Sequence, residues 1–150
     1  MTTEVMTALG SVGGAAAMPL AAIGSAFGTG MAAMAGIGAW KKCYAQGKAA
    51  PFMILAFVGA PLTQTIYGLI AAQKILPKAK DAPEAWPALI AWGIFGGIAM
   101  GASALMQGKA AAGASDALGE TGEGFVNYLM SLGIIETVAL FVMVMILISI

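Results

Sequence analysis

The chain has 150 residues, of which 60% are hydrophobic and 9% are charged. Because a soluble domain carries about 25% charged residues, this composition predicts an integral membrane protein. Seven lysines balance seven acids, and no basic patch interleaved with aromatic residues is present, so we expect no nucleic-acid partner. The single cysteine, Cys43, excludes an intrachain disulfide and has no histidine or second cysteine with which to share a metal.

The first predicted span is a helix over residues 8–44, which is rich in glycine and alanine and carries no charge before Lys41. Its length exceeds the roughly 20 apolar residues that a hydrocarbon core of about 30 Å requires. Glu4 lies where a signal peptide would have basic residues, so we expect no cleavage of this segment.

The second predicted span, residues 50–76, is bulkier than the first and contains Pro61. Proline has no N–H to donate, so the carbonyl of Phe57 loses its usual helical partner. The resulting distortion can also tilt the carbonyl of Ala60 toward a ligand. A surface connection rich in lysine and proline ends this span.

The third predicted span, residues 85–118, repeats the small residues of the first, and the fourth, residues 124–150, repeats the bulk of the second. A short match of TGMAAM at residues 29–34 to QGKAAA at residues 107–112 accompanies this alternation. Glycines at the spacing that lets helix backbones approach closely occur in the two small-residue spans: Gly24, Gly28, Gly93, Gly97 and Gly101.

The predicted fold is an all-α membrane protein with one membrane domain over residues 1–150 and four transmembrane helices, arranged as two duplicated hairpins. In lipid every backbone polar group must find a partner inside the protein, which favours helices over any irregular structure. We expect the thin spans one and three on the inside of the assembly and the bulky spans two and four outside. Lysines lie on both sides of the membrane, so the charge pattern leaves the orientation open.

The fourth span contains a single charged residue, Glu136, in its middle. A carboxylate at that depth costs several kcal/mol, and such residues usually face a protein interior where they serve ions, protons or substrates. Counting 1.5 Å per helical residue from the nearest turns places Thr63, Gln64, Gln107 and Glu136 at one level, about 18 Å from the turns. Tyr67 can share the helix face of Thr63 and Gln64.

These groups and the carbonyl of Ala60 are hard oxygen donors with one negative charge, which suit a small monovalent cation better than a soft or divalent metal. The competing interpretation is that the Gln and Thr side chains only bond helices together, with a protonated Glu136 held among them as a structural contact.

Three motifs carry a resemblance to a known family: PLTQTIYG at residues 61–68, MQGKAAAG at residues 106–113 and IET at residues 135–137. With them the chain resembles the four-helix proteolipid (c or K) subunit of V-type and A/V-type rotary ATPases, and it is most similar to the sodium-translocating members. The resemblance implies a set of Na⁺ ligands with a tyrosine bonded to the glutamate: Glu136, Gln107, Gln64, Thr63, the carbonyl of Ala60, and Tyr67. The chain departs from the family pattern at Leu62, where relatives can have Gly, and at Ala60, where a Leu is frequent.

The resemblance also implies the assembly and its partners. Several copies would form a homo-oligomeric rotor ring in the cell membrane, with the glycine-rich spans inside, while ATP is hydrolysed elsewhere in the complex. A membrane stator subunit would supply an arginine, and a central-stalk subunit would contact the loops at residues 41–50 and 119–124 on the cytoplasmic side. Both termini of this multi-pass chain would then be non-cytoplasmic. The chain itself carries no phosphate loop or nucleophile–base pair, so we expect a non-catalytic subunit.

Other interpretations remain open at this point. The same ring could carry H⁺ in place of Na⁺, although the retained amide and hydroxyl oxygens argue for Na⁺. A small four-helix cation transporter or channel that works alone would be a monomer or dimer in detergent. An assembly protein with Glu136 as a structural contact would tolerate Glu136→Gln.

Overall fold

The structure, a computed structural model, describes all 150 residues and is entirely helical. Four of its helical segments are long and apolar enough to cross a membrane, as the sequence predicts. The helices are α1 (Thr3–Ala45), α2 (Ile54–Gly59), α3 (Thr63–Asp81), α4 (Trp86–Thr121) and α5 (Phe125–Ser149). The second span consists of α2, a 3₁₀ turn over Ala60–Leu62 and α3, and a second 3₁₀ turn, Pro83–Ala85, leads into α4.

The helix ends differ from the predicted ones where local chemistry favours another residue. Helix α1 begins at Thr3 and not at residue 8, because the Thr2 hydroxyl accepts the Val5 N–H at 3.4 Å and caps the first turn. Helix α4 continues to Thr121 and ends at Gly122, whose φ of 71° is the left-handed conformation that glycine adopts readily.

Helices α1 and α4 pack backbone against backbone, because glycines leave no side chain between them. A Cβ atom on Gly24 would lie 1.9 Å from the carbonyl oxygen of Gly101, and one on Gly93 would lie 1.9 Å from that of Gly13. Gly28 and Gly97 face α4 and α1 in the same way. All five glycines named from the sequence therefore lie in a contact within one chain, which accounts for them without a neighbouring copy; a role in ring packing stays a prediction.

The four spans form two layers. Helix α3 packs against α1, α5 packs against α4, and α3 and α5 also touch each other. The thin layer is therefore α1 and α4, and the bulky layer is the second span and α5. This arrangement agrees with the division into small-residue and bulky spans.

Two apolar clusters fill the interior on either side of the mid-span, where the buried residues are polar. One cluster, on the side of the loop between α4 and α5, contains Phe57, Leu118 and Leu132, and the Phe57 ring stacks on Phe125 at 5.4 Å. The other is formed by residues nearer the opposite end: Ala71, Ile75, Leu89, Met100, Ala139 and Ile146. On α3, α4 and α5 the buried polar residues of the mid-span lie between the two clusters.

We expect Gly24→Ala to lower the stability of the protein, because the new Cβ would meet the backbone of Gly101, which cannot move without separating the helices. Overpacking of this kind costs about 1–3 kcal/mol. Thermal unfolding in detergent micelles, followed by circular dichroism, measures the change. Gly38→Ala is the matched control, since nothing lies within 4 Å of its Cβ position. Equal stability of the two variants would contradict the packing described here.

Candidate functional site

The polar residues at mid-span form one connected set on three helices. Gln64 on α3 and Gln107 on α4 have no exposed surface at all. Glu136 on α5 and Tyr67 on α3 are partly buried beside them. The sequence predicted that these groups share one depth, and the structure brings them into direct contact.

The two buried glutamines connect all three helices. The Gln64 Nε2 donates to the Gln107 Oε1 at 2.7 Å. The Gln107 Nε2 in turn donates to the carbonyl of Leu132 at 3.0 Å and to the Glu136 Oε2 at 3.3 Å. Leaving a buried amide without a partner costs about 1–3 kcal/mol, so each glutamine holds the other in one orientation.

Both oxygens of the Glu136 carboxylate are engaged. The Tyr67 hydroxyl donates to Oε1 at 2.7 Å, while Gln107 reaches Oε2. Hydrogen bonds to an ionised acceptor are roughly twice as strong as neutral ones. No cationic side chain neutralises the carboxylate, because the ion pairs of the structure join only Lys42 to Asp116 and Glu120 at the end of α1. The site therefore supplies donors for a negative charge and no counter-charge.

The 3₁₀ turn at Pro61 supplies the oxygens on the α2 side of the site. The Thr63 Oγ1 lies 3.0 Å from the carbonyl oxygen of Ala60 and 3.2 Å from the Gln64 Oε1. The backbone N–H of Thr63 also bonds the Ala60 carbonyl, as in a 3₁₀ turn. The predicted distortion at Pro61 thus takes the form of a tightened turn that gathers three oxygens next to the buried glutamine pair.

The residues that the sequence singled out for ion binding lie together, linked by polar contacts of 2.7–3.3 Å from the Ala60 carbonyl to the Tyr67 hydroxyl. The Thr63 hydroxyl has one proton and donates it to either the Ala60 carbonyl or the Gln64 Oε1. Glu136 is its only acid, and no group of three His, Cys, Asp or Glu residues that could hold a transition metal exists in the structure. The donor set, one carboxylate with neutral oxygens, fits a small monovalent cation or a proton.

Sequence reasoning missed Ser103, which lies one helical turn before Gln107. Its hydroxyl donates to the carbonyl of Ile135 at 2.9 Å, and the residue is 6% exposed. Ser103 and Gln107 together therefore bond α4 to two carbonyls of α5 in the turn that leads to Glu136. The spacing of four residues on one helix face was the available signal.

Comparison with known protein families gives a match in the second hairpin, which consists of α4 and α5. Residues 90–149 match the family of ATP synthase C subunits. This segment contains Gln107 and Glu136 and nearly all of α4 and α5, but not Thr63, Gln64 or Tyr67. No curated protein sequence matches the chain. The matched segment covers two of the four candidate membrane helices, so the similarity to this family concerns α4 and α5.

We expect Tyr67→Phe to speed the labelling of Glu136 by a hydrophobic carbodiimide at fixed pH. The substitution removes the donor to Oε1, so the carboxyl group leaves its closed position more often and meets the reagent in the apolar phase. Mass spectrometry of the labelled chain gives the rate. Tyr128→Phe is the matched control, because Tyr128 packs against Phe57 in the first turn of α5, about two turns from Glu136. An unchanged rate in Tyr67→Phe would mean that this hydrogen bond does not hold the carboxylate.

Proposed function

We propose that this chain is an ion-carrying rotor-ring subunit in the membrane sector of a rotary ATPase and that it catalyses nothing itself. One observation carries the proposal: a single carboxylate, Glu136, sits at mid-span with both oxygens held by Tyr67 and Gln107 and with no cationic side chain beside it. A partly buried carboxylate at mid-span with no cationic partner favours the binding of an ion, and that ion can be the cargo. The match of residues 90–149 to the ATP synthase C subunits supports the same assignment.

The proposed cargo is Na⁺, one ion per copy. The ligands would be the Glu136 carboxylate, the oxygens of Gln64 and Gln107, the Thr63 hydroxyl and the carbonyl of Ala60. Tyr67 would keep the carboxylate turned inward. With Na⁺ bound the site is neutral and can face lipid; without it the carboxylate needs a counter-charge, which we assign to an arginine of a stator subunit.

A proton is the second candidate cargo, and one observation favours it. Each oxygen of Glu136 already has a donor within the protein, and Gln64 and Gln107 satisfy each other. The network is therefore complete without a metal ion. Na⁺ would have to replace at least the Thr63 and Gln64 contacts with ion–oxygen contacts. A proton on the Glu136 Oε1 would need only the Tyr67 hydroxyl to turn, so that its oxygen accepts the new O–H.

The proposed complex is of the V type and is driven by ATP. Only one carboxylate serves four spans, so a ring of a given size carries few ions per turn, and each ATP supplies more driving force per ion. The loops at residues 41–50 and 119–124 would face the cytoplasm and meet the central stalk, with both termini on the other side of the cell membrane.

We expect millimolar Na⁺ to slow the carbodiimide labelling of Glu136 at fixed pH, and K⁺ at the same concentration to have no effect. Carbodiimides attack a protonated carboxyl in an apolar site, so a bound Na⁺ that excludes the proton protects the residue. Labelling that responds to pH alone would overturn Na⁺ in favour of H⁺ while leaving the rotor proposal intact.

We further expect Thr63→Val to raise the Na⁺ concentration that gives half protection, by about 10- to 100-fold. The substitution keeps the shape of the side chain and removes one oxygen beside Gln64. Thr137→Val is the matched control, because the Thr137 hydroxyl is exposed and bonds only to the carbonyl of Ile134. Equal shifts in both variants would place Na⁺ protection outside the proposed site.

Two measurements separate the rotor from the other functions. Native mass spectrometry from detergent should give one large closed oligomer, whereas a transporter or channel that works alone would appear as a monomer or dimer. Glu136→Gln should abolish ion transport by the assembled complex. If Glu136→Gln leaves transport intact, the carboxylate is only a structural contact and the proposal fails.

A further inference from the structure

A polar groove lies between α3 and α5, at the end of the molecule opposite the loop that joins α4 to α5. Its volume is about 280 Å³, and only one of the residues that line it is hydrophobic. The lining residues come from the C-terminal part of α3 and from the end of α5: Gln73, Lys74, Pro77, Lys78, Asp81 and Ile150. We call this feature the lysine groove. None of its residues belongs to the candidate ion site.

The two lysines of the groove lie on the face of α3 that carries Tyr67. They follow Tyr67 by 7 and 11 residues, which are spacings that return to the same face of a helix. Tyr67 is bonded to Glu136, so this face of α3 is turned toward α5. The lysine groove is therefore a feature of the bulky layer, away from the contact between α1 and α4.

The depth of the two lysines corresponds to the edge of the hydrocarbon core. At 1.5 Å per residue, Lys74 and Lys78 lie about 10 Å and about 16 Å from Tyr67 along α3. Tyr67 touches Glu136 in the middle of α5, and half of a hydrocarbon core is about 15 Å. Lys78 is therefore at the boundary, and the long side chain of Lys74 can bring its ammonium to the same level. Lipid phosphates lie just outside this boundary.

Neither of these ammonium groups has an acidic partner within the chain. The ion pairs of the structure join only Lys42 to Asp116 and Glu120 at the other end of the molecule. Asp81 lines the same groove but is not within ion-pair distance of either lysine. Basic side chains close to a leaflet surface attract anionic lipids. Two lysines one helical turn apart therefore present two unpaired positive charges to one phosphate.

The lysine groove also contains hydrogen-bond acceptors. Pro77 has no N–H, so the carbonyl of Gln73 lacks the donor that it would have in a regular helix. The carboxylate of Asp81, an exposed residue, accepts hydrogen bonds from hydroxyl groups and repels a second negative group. A headgroup that combines one phosphate with hydroxyls matches these acceptors, whereas a headgroup with its own carboxylate does not.

We propose that the lysine groove binds an anionic phospholipid with hydroxyl groups in its headgroup, the chemistry of phosphatidylglycerol. The phosphate lies between the ammonium groups of Lys74 and Lys78. The glycerol hydroxyls donate to the Gln73 carbonyl and the Asp81 carboxylate. The site is distinct from the cation site, and its occupation does not depend on which ion Glu136 carries.

The surface below the groove suits the acyl chains of such a lipid. On the faces of α3 and α5 that meet there, the side chains between the groove and the ion site are apolar and partly exposed: Ile70, Leu140 and Leu147. Apolar chains that lie along this strip hold the headgroup at the depth of the two lysines. A free phosphate ion has no such contact, so a lipid is the favoured ligand.

Acylation of lysines in lipid nanodiscs tests the site. We expect Lys74 and Lys78 to react severalfold more slowly in nanodiscs that contain phosphatidylglycerol than in nanodiscs of phosphatidylcholine alone, because a bound phosphate covers both ammonium groups. Peptide mass spectrometry gives the rate at each lysine. Lys80 is the internal control, since it is exposed on the same stretch of α3 but does not line the groove. If the rate at Lys80 falls as much, only the surface charge is acting and the proposal fails.

Two further conditions identify the ligand. Phosphatidylserine has the same net charge as phosphatidylglycerol, but its carboxylate would meet Asp81, so we expect weaker protection of Lys74 and Lys78. Inorganic phosphate added to phosphatidylcholine nanodiscs should give none. Equal protection by phosphatidylserine would refute the hydroxyl contacts, and protection by inorganic phosphate would overturn the lipid in favour of a soluble anion.

A variant without the two charges gives a second measurement. We expect Lys74→Gln combined with Lys78→Gln to lose the phosphatidylglycerol that native mass spectrometry detects on the unaltered protein. Lys41→Gln combined with Lys48→Gln is the matched control, because it removes two exposed lysines without ion pairs at the opposite end. Equal lipid retention by both variants, or equal loss, would refute the site. Carbodiimide labelling of Glu136 in the same variants reports separately on the proposed ion site.

Discussion

A carboxylate in the middle of a membrane span must be held by groups from other helices, and the hydrogen bonds to Glu136 set the arrangement of the bulky half of this protein. Tyr67 reaches it from the second span and Gln107 from α4. Gln107 is itself held by Gln64, so three helices are fixed around one negative charge. Each helix must therefore present its polar side chain at one depth, between the two apolar clusters.

The close packing of α1 and α4 makes room for this arrangement. Because glycines bring the two backbones into direct contact, the thin layer contains no side chains that would compete for the space around Gln107. Gln107 lies about 100° round α4 from Gly108, which packs against Gly28, and its side chain reaches Gln64 and Glu136 in the bulky layer. The packing glycines and Gln107 thus lie on two faces of α4. A wider separation of α1 and α4 would therefore shift Gln107 and the polar site with it.

The two hairpins share a pattern but use it differently. In the second hairpin, Ser103 and Gln107 bond α4 to α5. In the first, Ser25 and Thr29 stay unpaired, and Leu62 stands beside them with no carboxylate nearby. The second hairpin thereby carries the carboxylate, whereas the matching positions of the first make no bond to its second span.

The sequence by itself determined the four membrane spans, their alternating bulk and the isolated position of Glu136, because hydrophobic length and a buried charge are properties of a single segment. Residue counts from the turns also placed the polar groups at one depth, since the rise of a helix is constant. Only the tertiary structure decided which groups meet: that Tyr67 bonds one oxygen and Gln107 the other, that Ser103 joins α5, and that the glycines lie within one chain. Those contacts depend on the rotation of each helix about its axis and on its choice of neighbour, and chains rich in small residues with little amphipathic contrast specify neither until the helices pack.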